Sequence, residues 1–97
     1  MVDVQYPNRR LEKLFKSEQA LVRAYGRELA TKIGMRLVEL ETASVMSEVL
    51  DGPGRWEQLV SDRSKWSARL NRNYRLIVSA ATHDAESAMV VDVEDYH

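Results

Sequence analysis

The string Asp-Gly-Pro-Gly at positions 51–54 divides the chain into two parts with different hydrophobic periods. Before it, Leu29, Ile33 and Leu37 recur at every fourth position, which is typical of an amphipathic helix. After it, apolar and polar residues alternate, as they do in half-buried strands. A proline with one glycine on each side stops a helix. The sequence therefore predicts helices first and a mainly antiparallel sheet second, an α+β fold.

The same patterns place the individual elements. An alternating stretch at 2–6 predicts a short first strand. A first helix follows around Leu11 and Leu14, and Ser17 is the N-cap of a long second helix that runs to about Ala43 and completes a helical hairpin. The strands of the second part are predicted at roughly 55–60, 66–71, 74–80 and 88–95.

A row of small residues, Gly26, Ala30 and Gly34, runs beside the apolar stripe of the long helix. Each glycine inside a helix costs ~1 kcal/mol relative to alanine, so the row calls for a structural reason. We expect it to accept the close approach of the first helix or of the sheet.

Length and composition indicate a globular protein. The chain has 97 residues, of which 44% are apolar and 30% charged, and this predicts a single domain over 1–97. It contains no cysteine, which excludes disulfides and thiolate metal sites. No window reaches the ~18 apolar residues of a membrane span, and no signal-peptide pattern opens the chain, so the cytoplasm is the expected location.

The net charge of −1 hides a separation of charge along the chain. Five acids and no Lys or Arg lie between Asp84 and Asp95. The stretch before them is basic, because two acids, Glu57 and Asp62, share it with six cations: Arg55, Arg63, Lys65, Arg69, Arg72 and Arg75.

The pattern around 71–73 selects one register for a β-hairpin. A three-residue loop, in which Asn73 adopts a left-handed conformation, pairs Leu70 with Tyr74 and Arg69 with Arg75. The apolar side chains of both strands then share one face, whereas a two-residue loop mixes the faces. Two cations directly opposite each other destabilise a sheet, so an anion is expected nearby. It is either the acids Asp92 and Glu94 of the last strand or a bound phosphate, which guanidinium groups suit.

The last residues, Asp95, Tyr96 and His97, can accept, donate and carry protons. Composition alone favours a polar chain end over a functional cluster by roughly two to one. His83 lies in a turn-rich loop and is expected at the surface, and Trp56 and Trp66 are expected in the core or at an interface. The sequence contains no phosphate-binding glycine loop, metal-ligand spacing or serine nucleophile motif.

Three stretches together resemble a known family: "LEKLF", "SDRSKWSARLNRNYRLIV" and the terminal "DVEDYH". They are similar to the HigB group of the RelE/ParE toxin superfamily, and the similarity spans essentially the whole chain. The resemblance implies a fold of one strand, a helical hairpin and an antiparallel sheet. It also implies the toxin of a type II toxin–antitoxin pair, a ribosome-dependent endoribonuclease that cuts messenger RNA without a metal or other cofactor.

The resemblance also implies site residues. The catalytic set would be Asp95, Tyr96 and His97 together with Arg75 of the hairpin. The expected partners are messenger RNA on the ribosome and a small antitoxin with a helix-turn-helix, through which operator DNA would be bound; no membrane is involved. Contacts to RNA phosphates are expected from the remaining cations of the basic stretch: Arg63, Lys65, Arg69 and Arg72.

One position departs from the family pattern. Many relatives carry a histidine and a lysine before the hairpin, where this chain has Glu57 and Val60. Glu57 or water would then replace the missing imidazole. Two other functions stay open: inhibition of DNA gyrase without chemistry, as in the ParE branch, and a degraded toxin that only binds its antitoxin.

Overall fold

The computed structural model describes residues 1–95. One strand comes first, three α-helices and a 3₁₀ helix follow it, and four further strands complete the described chain. The sheet has the order β1-β5-β4-β3-β2, with β1 parallel to β5 and all other neighbours antiparallel. The predicted α+β order is therefore confirmed. The elements are β1 (Asp3–Gln5), α1 (Arg9–Phe15), α2 (Glu18–Tyr25), α3 (Arg27–Thr42), the 3₁₀ helix (Met46–Asp51), β2 (Glu57–Gln58), β3 (Lys65–Arg69), β4 (Tyr74–Ser79) and β5 (Ser87–Asp95).

The predicted long helix is divided in two at Gly26, which has a φ of 89°. Its N–H donates to the carbonyl of Val22 and closes α2, while its own carbonyl accepts from the N–H of Ala30 and begins α3. A positive φ is costly for any residue with a Cβ, so glycine is the residue suited to this junction. The predicted N-cap is confirmed, since the Ser17 hydroxyl accepts from the N–H of Ala20 at 3.1 Å.

The expected close approach at the row of small residues is wrong for both of its glycines. A Cβ added at Gly26 or Gly34 would meet nothing within 4 Å. Ala30, between them, is buried. Gly26 is explained by its backbone conformation, and nothing in the structure explains Gly34.

The helices cover one face of the sheet and enclose a single core cluster. From α3, Ile33 and Leu40 are completely buried, and from the sheet Trp66, Leu76 and Val90 are completely buried. Both tryptophans belong to this core, as expected. Within residues 1–95 no helix combines the length and the apolar character needed to cross a membrane.

The β3–β4 hairpin has the predicted register. Arg69 lies opposite Arg75, and the Leu70 N–H donates to the Tyr74 carbonyl at 3.0 Å, which leaves a three-residue loop. The expected left-handed Asn73 is wrong, because Asn73 has no positive φ. The loop is held instead by Asn71, whose Oδ1 accepts from the N–H groups of Asn73 and Tyr74, both at 2.8 Å.

Candidate nucleic-acid interface

The face of the sheet turned away from the helices carries the basic side chains of β3 and β4. Side chains alternate along a strand, so Lys65, Ser67 and Arg69 share this face, and the register adds Arg75 and Ile77 from β4. We call it the arginine face. Ser67 and Ile77 are almost completely buried, although neither belongs to the core cluster on the other face of the sheet. The centre of the arginine face is therefore closed to solvent, and the charged side chains lie around it.

Two acids of β5, Asp92 and Glu94, share the arginine face, as the sequence predicts. Glu94 lies directly opposite Arg75, and Asp92 lies opposite Ile77. The carboxylate of Asp92 accepts from the N–H of Val93 at 2.8 Å. Within residues 1–95 no ion pair joins Arg69 to either acid. Among the described residues, the positive charge of Arg69 is therefore not balanced by an ion pair.

Hydrogen bonds fix the backbone of Arg69 on both sides. Its N–H donates to the carbonyl of Gly54 at 2.8 Å, and its carbonyl accepts from Nε of Arg36 at 2.8 Å. Arg36 lies on α3, and its guanidinium is almost fully buried. The loop and the helix thus hold the backbone of β3 at Arg69, so its side chain extends from a fixed position. A fixed position favours the binding of an anion in one defined place.

Arg36 is itself held by a buried polar network that reaches the loop before β2. It forms an ion pair with Glu39, and the other oxygen of that carboxylate accepts from Nε1 of Trp56 at 2.9 Å. Gly54 packs against these groups so closely that a Cβ there would lie 2.7 Å from Nε1 of Trp56 and 2.9 Å from Cδ of Arg36. Because every member has partners, the network joins α3, the loop and β3 as one polar unit.

This network was not predicted from the sequence, although one signal was present. Arg36 is three residues after Ile33 and four before Leu40, and this spacing places it on the core face of α3. A buried arginine is paired as a rule, and Glu39 is one helical turn further on. Its contacts to Gly54, Trp56 and Arg69 depend on tertiary packing.

The other predicted site residues lie on β2, on β3 and in the loops at the two ends of β3. Glu57, on the edge strand β2, lies opposite Ser67 and is thus on the arginine face. Lys65 stands at the other end of β3 from Arg69. Arg63 lies in the loop before β3 and Arg72 in the loop after it, and both are exposed. The two loop arginines lie at opposite ends of a five-residue strand, which is ~17 Å long, so a single phosphate cannot contact both.

A short turn places the basic residues at the start of β3. The carboxylate of Asp62 accepts from the hydroxyl of Ser64 at 2.6 Å and from its N–H at 3.0 Å. These bonds, with the nearby Lys65 ammonium as a smaller contribution, hold the pKa of Asp62 below its ordinary value. Asp62 therefore acts as a turn acceptor here.

His83 is exposed but has two partners. Its Nε2 lies 2.7 Å from Oε1 of Gln58, and its ring meets the edge of the Trp66 ring with centroids 5.4 Å apart. The loop after β4 is thereby attached to β2. A surface position was expected for His83, but these contacts were not.

Asp95 lies at the end of the described part of β5. It is opposite Tyr74, whereas its neighbour Glu94 is opposite Arg75. Adjacent residues of a strand point to opposite faces, so the register places Glu94, and not Asp95, on the arginine face. Tyr96 and His97 lie outside the described residues. Residues 1–95 contain no group of three or more His, Asp or Glu side chains arranged to hold a metal ion.

Sequence comparison alone identifies no relative: no protein-family model matches the chain, and no curated protein matches it.

Several solved structures share the fold of this chain, among them YoeB and YoeB/ParE proteins. The YoeB–YefM complex of Staphylococcus aureus matches with a TM-score of 0.63 and 17% identity over 100% of this chain and 98% of that one. The YoeB dimer of the same organism matches with a TM-score of 0.63 and 18% identity over 99% and 97%. A YoeB/ParE toxin of Agrobacterium tumefaciens gives 0.65 and 12% over 99% and 100%. The chain therefore has the YoeB/ParE toxin fold over its whole length.

Proposed function

We propose that this protein is the toxin of a type II toxin–antitoxin pair and that it cuts messenger RNA on the ribosome without a metal, as the HigB group does. The pair of arginines on the sheet face opposite the core, one of them without an acidic partner in residues 1–95, carries the proposal. The YoeB/ParE fold and the sequence resemblance to HigB proteins support it.

The proposed reaction uses the RNA itself as nucleophile. A ribose 2′-oxygen attacks the adjacent phosphorus, its proton passes to a base, and the 5′-oxygen of the next nucleotide leaves with a proton from an acid. The products are a 2′,3′-cyclic phosphate and a 5′-hydroxyl. Negative charge grows on the phosphate oxygens during the attack, so preorganised cations there lower the barrier.

Arg75 and Arg69 are the proposed phosphate ligands, because they are direct neighbours across β3 and β4. Their planar forks can each give two hydrogen bonds to phosphate oxygens. His97 is the proposed proton carrier, with Tyr96 to orient or donate, and both assignments rest on the sequence resemblance. Glu57 shares the arginine face and is the proposed replacement for the histidine that relatives carry before the hairpin. Asp95, on the other face, is proposed to act by positioning the end of the chain.

An antitoxin is the proposed protein partner. Two of the similar structures contain a YoeB toxin bound to YefM. For this chain we propose a small antitoxin with a helix-turn-helix and binding to operator DNA through that partner. The proposed site of action is the cytoplasm, where messenger RNA and ribosomes are found.

Induced expression without antitoxin tests the proposal, with primer extension on abundant transcripts while translation runs. Wild type and the matched control Arg10→Ala, which removes an exposed cation from α1, are expected to produce cuts. Arg69→Ala and His97→Ala are expected to produce none. Growth arrest without cuts would instead favour the gyrase-blocking alternative, and no arrest at all would favour a module that only binds its antitoxin.

A further inference from the structure

A second group of cations lies beside the arginine face, in a cleft between α3 and the β3–β4 hairpin. The cleft has a volume of about 310 Å³, which is near the lower limit of small-molecule sites. One wall is helix α3, another is the loop before β2, and the third is the hairpin. Its lining residues are Lys32, Arg36, Pro53, Arg55, Arg69, Leu70, Asn71 and Arg72.

The charge of this basic cleft is uncompensated. Five of its lining residues are basic and none is acidic. Arg36 is paired with Glu39, but within residues 1–95 the other four cations form no ion pair. Like charges gathered in one concave site repel one another, and the walls concentrate their field. Such a site attracts an anion.

The walls of the cleft are held in place by contacts of their own. Arg55 has a φ of 52°, and among residues 1–95 it is the non-glycine residue with a positive φ. A strained backbone of this kind persists where its surroundings determine it, and it occurs often at ligand sites. On the opposite wall the Asn71 amide holds the hairpin loop that carries Arg72. The cations are thus presented by fixed backbone on both sides.

The ligand is identified by two features of the cleft. Arg69 lines the cleft and also lies on the arginine face, so the cleft adjoins the place where an RNA strand would bind on that face. No aromatic ring is among the lining residues, so the cleft has no aromatic platform for base stacking. Its arginine and lysine side chains suit backbone phosphates, and contacts to phosphates carry no sequence information.

We propose that the basic cleft binds backbone phosphates of the RNA strand next to the one cut on the arginine face, through Lys32, Arg55 and Arg72. The proposal rests on the proposed function for the identity of the strand. The three cations bind phosphates that are not cleaved. The cleft therefore increases the affinity for the RNA and fixes the direction of the strand.

The test is the binding of a fluorescent single-stranded RNA with 2′-O-methyl groups throughout, which the proposed chemistry cannot cut. Fluorescence anisotropy at several salt concentrations gives the affinity of wild type, Arg55→Gln and Arg72→Gln, with Arg10→Gln as the charge-matched control on α1. We expect each cleft variant to bind about 3- to 10-fold more weakly, with a salt slope lower by ~0.7 for one lost phosphate contact. The loss should be the same for adenine-rich and uracil-rich strands.

The proposal is overturned by either of the following results. Wild type that does not bind the RNA, or cleft variants that bind it as Arg10→Gln does, would exclude a phosphate site in the cleft. Cleft variants that keep RNA affinity and lose affinity for the antitoxin would assign the cleft to an acidic protein segment. Thermal unfolding of each variant confirms that it is folded. This RNA cannot be cut, so its binding is measured independently of nuclease activity. If the protein binds it as expected but cuts no messenger RNA in the expression experiment, the phosphate site in the cleft stands and only the proposed nuclease function is refuted.

Discussion

Replacing Gly54 by alanine is expected to destabilise the protein strongly, although it adds one methyl group. The new Cβ would overlap the Glu39 carboxylate and would lie 2.7 Å from Nε1 of Trp56 and 2.9 Å from Cδ of Arg36. All three neighbours belong to the buried network, so none is a free chain end that can simply move away.

The size of the effect follows from two costs. Overpacking by one methyl group costs ~1–3 kcal/mol. Displacing the carboxylate from the Trp56 N–H costs about 1.5–3 kcal/mol, the usual contribution of a hydrogen bond to a charged group. Because the two relax together, we expect about 3 kcal/mol in total. For a chain of this length that lowers the midpoint of thermal unfolding by roughly 12–24 °C.

Gly34→Ala is the matched control for this substitution. Gly34 lies inside α3, and a Cβ there meets nothing within 4 Å. The same added methyl group should therefore stabilise the protein by ~0.5–1 kcal/mol through helix propensity. Urea and thermal unfolding of both variants measure the contrast. A Gly54→Ala protein within ~1 kcal/mol of wild type would refute the tight packing of the network around residue 54.

Three further substitutions test the hairpin, the strained loop and the contact between helix and sheet. Asn71→Ala removes the acceptor of two backbone N–H groups and should cost about 1–2 kcal/mol in urea unfolding; an unchanged midpoint would contradict its role. Arg55→Gly should be more stable than Arg55→Ala by ~1 kcal/mol, since alanine keeps the cost of a left-handed backbone and glycine does not; the reverse order would exclude that conformation. Burial, and secondarily the charge of Asp92, raise the pKa of Tyr25 above 10.0, so Asp92→Asn should lower it in an ultraviolet titration. Because the pKa of Tyr25 is higher in the folded state than in the unfolded state, the stability linked to this tyrosine is complete below pH 10.0 and is lost as the pH rises through the folded pKa. An unchanged pKa of Tyr25 in Asp92→Asn would contradict the proximity of the two side chains.

The hairpin register could be predicted because a strand has a period of two. A slip of one residue would have moved Leu70 and Leu76 from the core face to the arginine face, so the apolar pattern allowed one pairing. The same rule could have located Asp95. Since Glu94 was expected on the arginine face, its neighbour had to lie on the other one.

A β-bulge in the last strand could not be predicted from the pattern that was used. Val90 and Val93 both contact the core although they are three residues apart, an odd spacing that regular alternation forbids. The register shifts between Ile77 and Val78 of the partner strand, and this extra residue restores the apolar face. The uninterrupted run of apolar residues before Asp92 conceals the shift.

The break at Gly26 and the Arg36 network were not predicted from the sequence, for two different reasons. A glycine within a helical pattern is compatible with a continuous helix or with a junction, and the sequence pattern does not distinguish them. The network joins residues 17 and 33 positions apart, a separation that only the packed structure closes. Local patterns therefore located the arginines, while tertiary packing determined how Arg69 is held.

The chemistry of the cut RNA tests the central claim most directly. A reconstituted translation reaction with purified toxin would be given a messenger RNA and the same RNA with one 2′-deoxy nucleotide at the cleavage position. We predict that the first is cut to a 2′,3′-cyclic phosphate and a 5′-hydroxyl, that the second stays intact, and that Arg69→Ala cuts neither. Cutting of the 2′-deoxy RNA, or no cutting of either RNA by wild type, would contradict the proposed function.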